Sequence, residues 1–220
     1  AASTKTPGVT QINILVGTII ASFESGAVSY LYYADRIYQI NLALAGIAVG
    51  TVSLPALSNA FKKNNISMIS KIQNKSIELS LLLSIPASLG LIIASDEIVS
   101  ALFGYGSFSL ESAQMTASAL KFFGFGVPAF ALIKILSNFF FARDDTKTPF
   151  YISSFVVLLN IFLSVTFFDE YGFIIIPIAT SISTWTGVLI YCFVLSKKNS
   201  LLLKSFLIKN IIKIILITIL

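Results

Sequence analysis

The stretch SYLYYADRIYQIN, residues 29–41, sets an Asp, an Arg, a Gln and four tyrosines inside a run that is otherwise apolar from 27 to 58. Read as a helix, the run places Arg36 about 14 Å from its start, near the middle of a bilayer-spanning segment. Lipid exposure of an Arg there costs at least about 2.5–3.5 kcal/mol, so the side chain is expected to face protein or a water-filled cavity. Asp35 lies about 100° around the helix, so the two charges are neighbours in sequence without being a facing pair. Asp35 shares a face with Leu31, Tyr38 and Gln39, and Arg36 with Tyr32, Tyr33, Gln39 and Ile40. Two readings follow. Arg36 either forms a structural ion pair with another helix or makes an anion site, its planar fork matching phosphate or carboxylate. The tyrosines then serve as hydrogen-bonding groups for a polar ligand or as ordinary cavity lining.

Outside this stretch the composition is that of a membrane protein. The 220 residues are 56% hydrophobic and only 11% charged, against about 25% charged in soluble domains, and the mean hydropathy is +0.89. Apolar runs recur at roughly 8–23, 27–58, 76–95, 113–142, 150–168, 173–196 and 203–220, which predicts an all-α, polytopic fold of seven spans. A soluble protein with buried helices is disfavoured because the charges cluster between runs and not along one face of each. The second and fourth runs exceed what a core of about 30 Å needs, so tilting, kinking or projection from the bilayer is expected. The sequence GFGVP (124–128) is the expected bend. With no His and a single Cys192, disulfides and Cys/His zinc sites are excluded. The start AASTKTPG has neither Met nor a signal-peptide pattern, and we expect a piece of a longer protein.

The connecting segments alternate in charge. Lys5, then Lys62, Lys63, Lys71 and Lys75, then Arg143 and Lys147, then Lys197, Lys198 and Lys204 fall on one side. Glu24, then Asp96, Glu97 and Glu111, then Asp169 and Glu170 fall on the other, without Lys or Arg. Basic residues are retained inside, which puts the N-terminus and every basic loop in the cytoplasm. The net charge of +5 is thus a topology signal, and nucleic acid is not an expected partner. Of the ionisable groups left within spans, Glu78, Lys209 and Lys213 can snorkel to the surface. Lys121 and Lys134 either snorkel or face a cavity, and with Arg143 and Asp145 they are the further candidates for cavity or gate positions.

Four segments carry a resemblance. QINILVGTIIAS (11–22), SGAVSYLYYADRIYQ (25–39), GIAVGTVSLPALS (46–58) and NFFFARDDTKTP (138–149) together resemble the MurJ, or MviN, family of lipid II flippases. The likeness runs over essentially the whole chain and implies membership of the multidrug/oligosaccharidyl-lipid/polysaccharide exporters, built from two six-helix lobes around a cavity. On that resemblance residues 1–196 are the second lobe, residues 197–220 are an extra C-terminal helix lining a groove for a lipid tail, and the first lobe is absent. The implied activity is alternating-access transfer of the polyprenyl-diphosphate headgroup of lipid II across the bacterial inner membrane during peptidoglycan synthesis. Its partners are then lipid II, membrane lipids and the missing lobe. Arg36 matches a cavity arginine that holds the pyrophosphate, with Asp35, Tyr32 and Gln39 as its expected neighbours in substrate binding. Glycines 46, 50, 124 and 126 let helices approach and slide.

The chain also departs from the family pattern, with Gly17 in place of Asp, Tyr105 in place of Arg, and Gln39 three residues after the arginine. Some relatives bind a cation, and the matching positions, Gly17, Asn160, Ser164 and Thr180, lack a carboxylate. In RDDTKTP (143–149) Thr146 or Thr148 is expected to cap the following helix. Asp144 and Asp145 look like half of the DDxxD of membrane prenyltransferases, but Thr148 stands where the third Asp belongs and no second acidic cluster follows. An enzyme is therefore not expected, and neither catalytic residues, a cofactor nor a metal is assigned. A related exporter of drugs or other polyprenyl-linked saccharides is the alternative, and a structural scaffold is a weaker one. The orientation has a direct test: single-cysteine labelling from outside, in a Cys192-free background, should modify position 107 and leave position 65 untouched. The reverse pattern would overturn the assignment.

Overall fold

The computed structural model describes residues 5–106, 108–198, 201–203 and 205–219. Among them every element is helical: α1 (Lys5–Ala21), α2 (Ala27–Leu42), α3 (Val49–Lys62), α4 (Ile66–Ile93), α5 (Ser95–Phe103), α6 (Leu110–Phe141), α7 (Lys147–Thr166), α8 (Phe168–Tyr171), α9 (Ile175–Lys197) and α10 (Ser205–Ile219). A π-helical segment, Ala43–Ala48, joins α2 to α3 without a break, and a short 3-10 turn, Gly172–Ile174, leads into α9. Five helical stretches are long and apolar enough to cross a membrane: Ala27–Lys62, Ile66–Ile93, Leu110–Phe141, Lys147–Thr166 and Phe168–Lys197. The protein is a multi-span membrane protein. The flanking α1 and α10, at 17 and 15 residues, sit at or below the lower limit for a span, about 17 residues. Lys204, counted above among the basic loop residues, lies outside the described residues.

Two segments expected as loops are largely helical. The stretch 59–75 shrinks to a three-residue turn, because Asn64 adopts a left-handed conformation (φ 49°) that closes α3. Asn65 then caps α4, its Oδ1 accepting from the Met68 N–H at 2.9 Å. Lys71 and Lys75 therefore lie on the first turns of α4. Part of 96–112 forms α5, whose first turn carries Asp96 and Glu97, a stabilising charge for a helix N-terminus.

The centre of the fold is α6, which packs against α2, α4, α5 and α9. It runs unbroken through Pro128. A proline has no N–H, so the carbonyl four residues earlier, Gly124, loses its helical donor. Ser88 of α4 supplies the missing hydrogen, its Oγ donating to Gly124 O at 2.7 Å. That approach needs a glycine, since a Cβ there would lie 3.0 Å from Ile92 Cγ1 and 3.3 Å from Leu91 Cβ. On the opposite side α9 donates to α6 carbonyls from Ser181 Oγ (Phe122 O, 2.8 Å) and Trp185 Nε1 (Phe125 O, 2.9 Å). The core divides into two apolar clusters along α6, one around Leu120, Phe123 and Phe173, the other around Ile135, Phe139 and Tyr191.

The contrast between serines of α4 tests this account. Ser88→Ala leaves a buried carbonyl unpaired and should lower stability by about 1–2 kcal/mol. Ser84→Ala removes a buried hydroxyl that has no partner among the described residues and should be neutral or slightly stabilising. Thermal unfolding in detergent, followed through Trp185, reads both, and equal losses at the two sites would overturn the carbonyl-rescue account.

Candidate functional site

The continuous α2–α3 rod is held against α6 by two glycines. A Cβ on Gly46 would lie 3.3 Å from Ala131 Cα, and one on Gly50 3.1 Å from Asn138 Nδ2. Asn138 uses that amide to donate to Gly50 O at 2.8 Å. On the α2 side of this contact, residues of α1, α2, α6, α7 and α9 line a cavity of about 1120 Å³. Polar groups from all five reach its wall, among them Thr18, Tyr32, Lys134, Asn160 and Thr180. Asp35 and Lys134 are the two charged side chains among the residues that line it.

The stretch 29–41 forms two hydrogen-bonded pairs one turn apart. Arg36 Nη2 donates to the Tyr32 hydroxyl at 2.9 Å and its guanidinium lies 4.7 Å from the Tyr32 ring centroid. Gln39 Nε2 donates to Asp35 Oδ2. Both pairs follow the i, i+4 spacing expected from the helix, and the two charges do not pair with each other. Asp35, Tyr32 and Gln39 line the cavity, whereas Arg36 stands exposed beside it. Among the described residues no carboxylate lies within 4 Å of the guanidinium. Tyr38, placed on the Asp35 face by the sequence but not counted among the site residues, stacks between Phe123 and Phe130 at 5.0 and 5.3 Å and backs Asp35. Its i, i+3 spacing from Asp35 was the available signal. Lys134 lines the cavity as an exposed side chain, and Lys121 is exposed on α6 away from it.

Arg143 and Asp145 lie at the far end of α6. Asp144 takes a left-handed conformation (φ 59°), and the Asp145 N–H bonds to Phe140 O at 3.1 Å, closing the helix in a Schellman turn. The α7 cap is Asp145, not Thr146 or Thr148: its Oδ1 accepts from the Thr148 N–H (3.0 Å) and its Oδ2 from the Thr148 hydroxyl (2.7 Å). A carboxylate offers a separate, charged oxygen to each donor, where a threonine hydroxyl has one neutral oxygen. Lys198 adds an ion pair to Oδ2 at 3.0 Å, tying α9 to the same turn. Partial burial pushes the Asp145 carboxyl up, but the Thr148 donors and the Lys198 ammonium outweigh it and hold it below the ordinary carboxylate range. Arg143 stacks on Phe61 at 4.6 Å, and its burial pulls the guanidinium below its usual value.

The residues that the resemblance matches to a cation site do not fit one. Asn160 Nδ2 donates to Thr180 Oγ1 (2.8 Å), Ser164 Oγ to Asn160 Oδ1 (3.3 Å), and Thr180 Oγ1 to Ile176 O (2.7 Å). The side-chain oxygens are thus engaged with one another, and no carboxylate joins them. A hard cation asks for several free oxygens and compensating charge. Among the described residues no group of three or more Asp, Glu, His or Cys is placed to hold a metal.

The fold is that of the MOP-superfamily transporters. It superposes on an outward-facing multidrug-resistance MATE family transporter of the MOP superfamily with a TM-score of 0.77 over 97% of this chain and 49% of the other, at 17% identity. The chain itself belongs to the MurJ family, whose model, described as lipid II flippase MurJ, matches residues 1–220. It is 43% identical over 185 residues to the probable lipid II flippase MurJ of Rhizobium meliloti, covering 84% of this chain and 35% of the relative. To that of Rickettsia prowazekii it is 41% identical over 183 residues, covering 83% and 36%. A solved lipid II flippase MurJ in an inward closed conformation matches with a TM-score of 0.86 at 32% identity, over 97% of this chain and 44% of the other. The chain spans about a third of the length of the curated relatives it matches.

The Asp145 turn has a pH signature. A carboxyl held below its unfolded value contributes stability that is present above that value, about 3.9, and lost as pH falls through the folded one. Asp145→Ala should therefore cost about 1–2 kcal/mol at neutral pH. The gap to the unsubstituted protein should close as the pH is lowered below about 4. Parallel thermal melts across pH 3–7 read this, and a gap that persists unchanged at the acid end would refute the carboxylate's role.

Proposed function

We propose that this chain is the second lobe of a lipid II flippase, with residues 1–196 forming the lobe and 197–220 an additional helix beside it. The other lobe comes from the remaining length seen in the relatives. The chain lies in the bacterial inner membrane with the N-terminal end of α1 and the turn bearing Asp145 in the cytoplasm. Its cavity takes the diphosphate-linked headgroup of lipid II from the cytoplasmic side, while the polyprenyl tail stays in the lipid. Rocking of the lobes delivers the headgroup outside. The protein moves its substrate and performs no bond chemistry on it.

One observation carries this reading above the others. Arg36, the tenth residue of the 36-residue span Ala27–Lys62, is exposed, paired with a tyrosine hydroxyl and without a carboxylate within 4 Å among the described residues. A guanidinium kept within a span with donors to spare is suited to seat an anion that arrives from elsewhere. Tyr32 bonds the guanidinium, and Asp35 is bonded by Gln39 and does not form a contact ion pair with Arg36. The Asp145 turn ties α6, α7 and α9 together at the cytoplasmic end and lets them move as one piece.

In the full-length parent, Arg36→Ala should abolish flipping and leave protein abundance nearly intact, because a solvated Arg adds little folding energy. Arg36→Lys should keep part of the activity, since the charge survives and the bidentate fork is lost. Complementation of flippase-depleted cells with parallel immunoblots reads both. An active Arg36→Ala protein would sink the anion site, and loss of the protein itself would point to a buried pair, whose breaking costs about 3–5 kcal/mol.

A further inference from the structure

The large cavity is fastened at one end. Ala21 and Val28 line it, as do Thr146 and Pro149 at the start of α7. The turn between Ala21 and Val28, which joins α1 to α2, therefore roofs the end away from Thr146. Glu24 stands in that turn and is the one charged residue between Lys5 and Asp35. Its main chain belongs to the turn: the N–H bonds to Ala21 O at 3.1 Å, and the carbonyl accepts from the Ala27 N–H at 3.3 Å. Its side chain reaches across the roof. Oε2 accepts from the Phe173 N–H at 2.7 Å, in the 3-10 turn that leads into α9.

The seat suits a carboxylate. The first N–H groups of a helix lack intrahelical partners and carry partial positive charge, so a carboxylate placed there makes a charge-assisted bond. Gly172 has φ 59°, and a Cβ on it would lie 2.8 Å from Glu24 Oε2. Only glycine meets both demands. Two ring contacts flank the bond: Phe23 meets Phe168 edge-on at 6.4 Å, and Tyr30 meets the buried Phe173 at 5.7 Å. Among the described residues no other hydrogen bond or ring contact ties α1, α2 or their turn to α7, α8 or α9. The Glu24 side chain is half-buried, at the edge of the lobe and not in its core. Water entering from that edge rehydrates the carboxylate and the amide as they part, so one such bond can bias an equilibrium and still be released.

We propose that Glu24 is a positioning residue, the latch of an outer gate: its bond to the start of α9 holds the cavity shut toward the outside, and its release lets the α1–α2 turn leave α8 and α9. The proposal rests on the alternating access and orientation given above, and not on which substrate is carried. The test uses the full-length parent, free of Cys192, with Val28→Cys beneath the roof and a membrane-impermeant maleimide applied to intact cells and to inverted vesicles. Glu24→Ala should speed labelling from outside about tenfold, the worth of a charge-assisted bond, and slow it from inside. Glu24→Gln, whose Oε1 still accepts from the Phe173 N–H, should label much as the unsubstituted protein does. Should the alanine protein fail to accumulate, Glu24→Asp, one methylene short of the amide, carries the same test. Labelling unchanged on both sides, or faster on both as in a merely loosened fold, would overturn the latch. Labelling that shifts as expected in a protein unable to restore flippase-depleted cells would sink the flippase reading and leave the latch standing.

Discussion

The carbonyl of Gly124 has no amide to bond to, and the rest of the lobe is arranged so that this does not matter. Inside a bilayer an orphaned backbone group has no water to turn to. Pro128 creates the orphan and Ser88 answers it from α4, which is feasible only because Gly124 lets the two helices come within side-chain-free distance. Once α4 is fixed on one side of α6, Ser181 and Trp185 bring α9 to carbonyls on the other. Asn138 brings α3 in through Gly50. The proline in the central helix accounts for the Ser88 bond, and the α9 and α3 bonds extend the same pattern, in which side chains donate and backbone accepts. The apolar residues around them fill space that these bonds have already defined.

Charge is used with the same economy. Helix α2 holds Arg36 against Tyr32 and the adjacent Asp35 against Gln39, so that two opposite charges one residue apart form no contact ion pair. A helix makes this arrangement inexpensive, because neighbours in sequence point about 100° apart while partners four residues away meet. At the opposite end the logic reverses. There Asp145 is saturated with donors, and its task is to keep three helices together.

Five of the seven expected spans were legible, because bilayer thickness and the clustering of charges between apolar runs leave few ways to place them, whereas α1 and α10 came out at or below span length. The pairings of Arg36 with Tyr32 and of Asp35 with Gln39 were legible for the same local reason, helix period. What escaped was set by tertiary context. Lys71 and Lys75 looked like loop because charge near a span end reads as its boundary, yet Asn64 and Asn65 restart a helix before them. Thr146 and Thr148 looked like caps because threonine is a usual one, while Asp145 outbids both with two oxygens. The polar stretch 29–41 pointed to a cavity, but its walls could not be read, since α1 and α7 contribute to a space that neither marks in its own sequence.

The π-helical segment Ala43–Ala48 inserts extra residues into a rod that otherwise follows α-helical phase. Everything before it is therefore offset in rotation from everything after it. The downstream half is phased by Gly50 against Asn138, the upstream half by its own ring contacts, and the wide turn absorbs the mismatch. Shortening the segment by one residue to restore a regular α-helix would turn Arg36 by about 100° relative to the α6-packed half, carrying the guanidinium off its present face without altering one neighbouring side chain. The direction in which the charge points is thus recorded in chain length, as a count of residues between two glycine contacts and an arginine, and no single side chain encodes it.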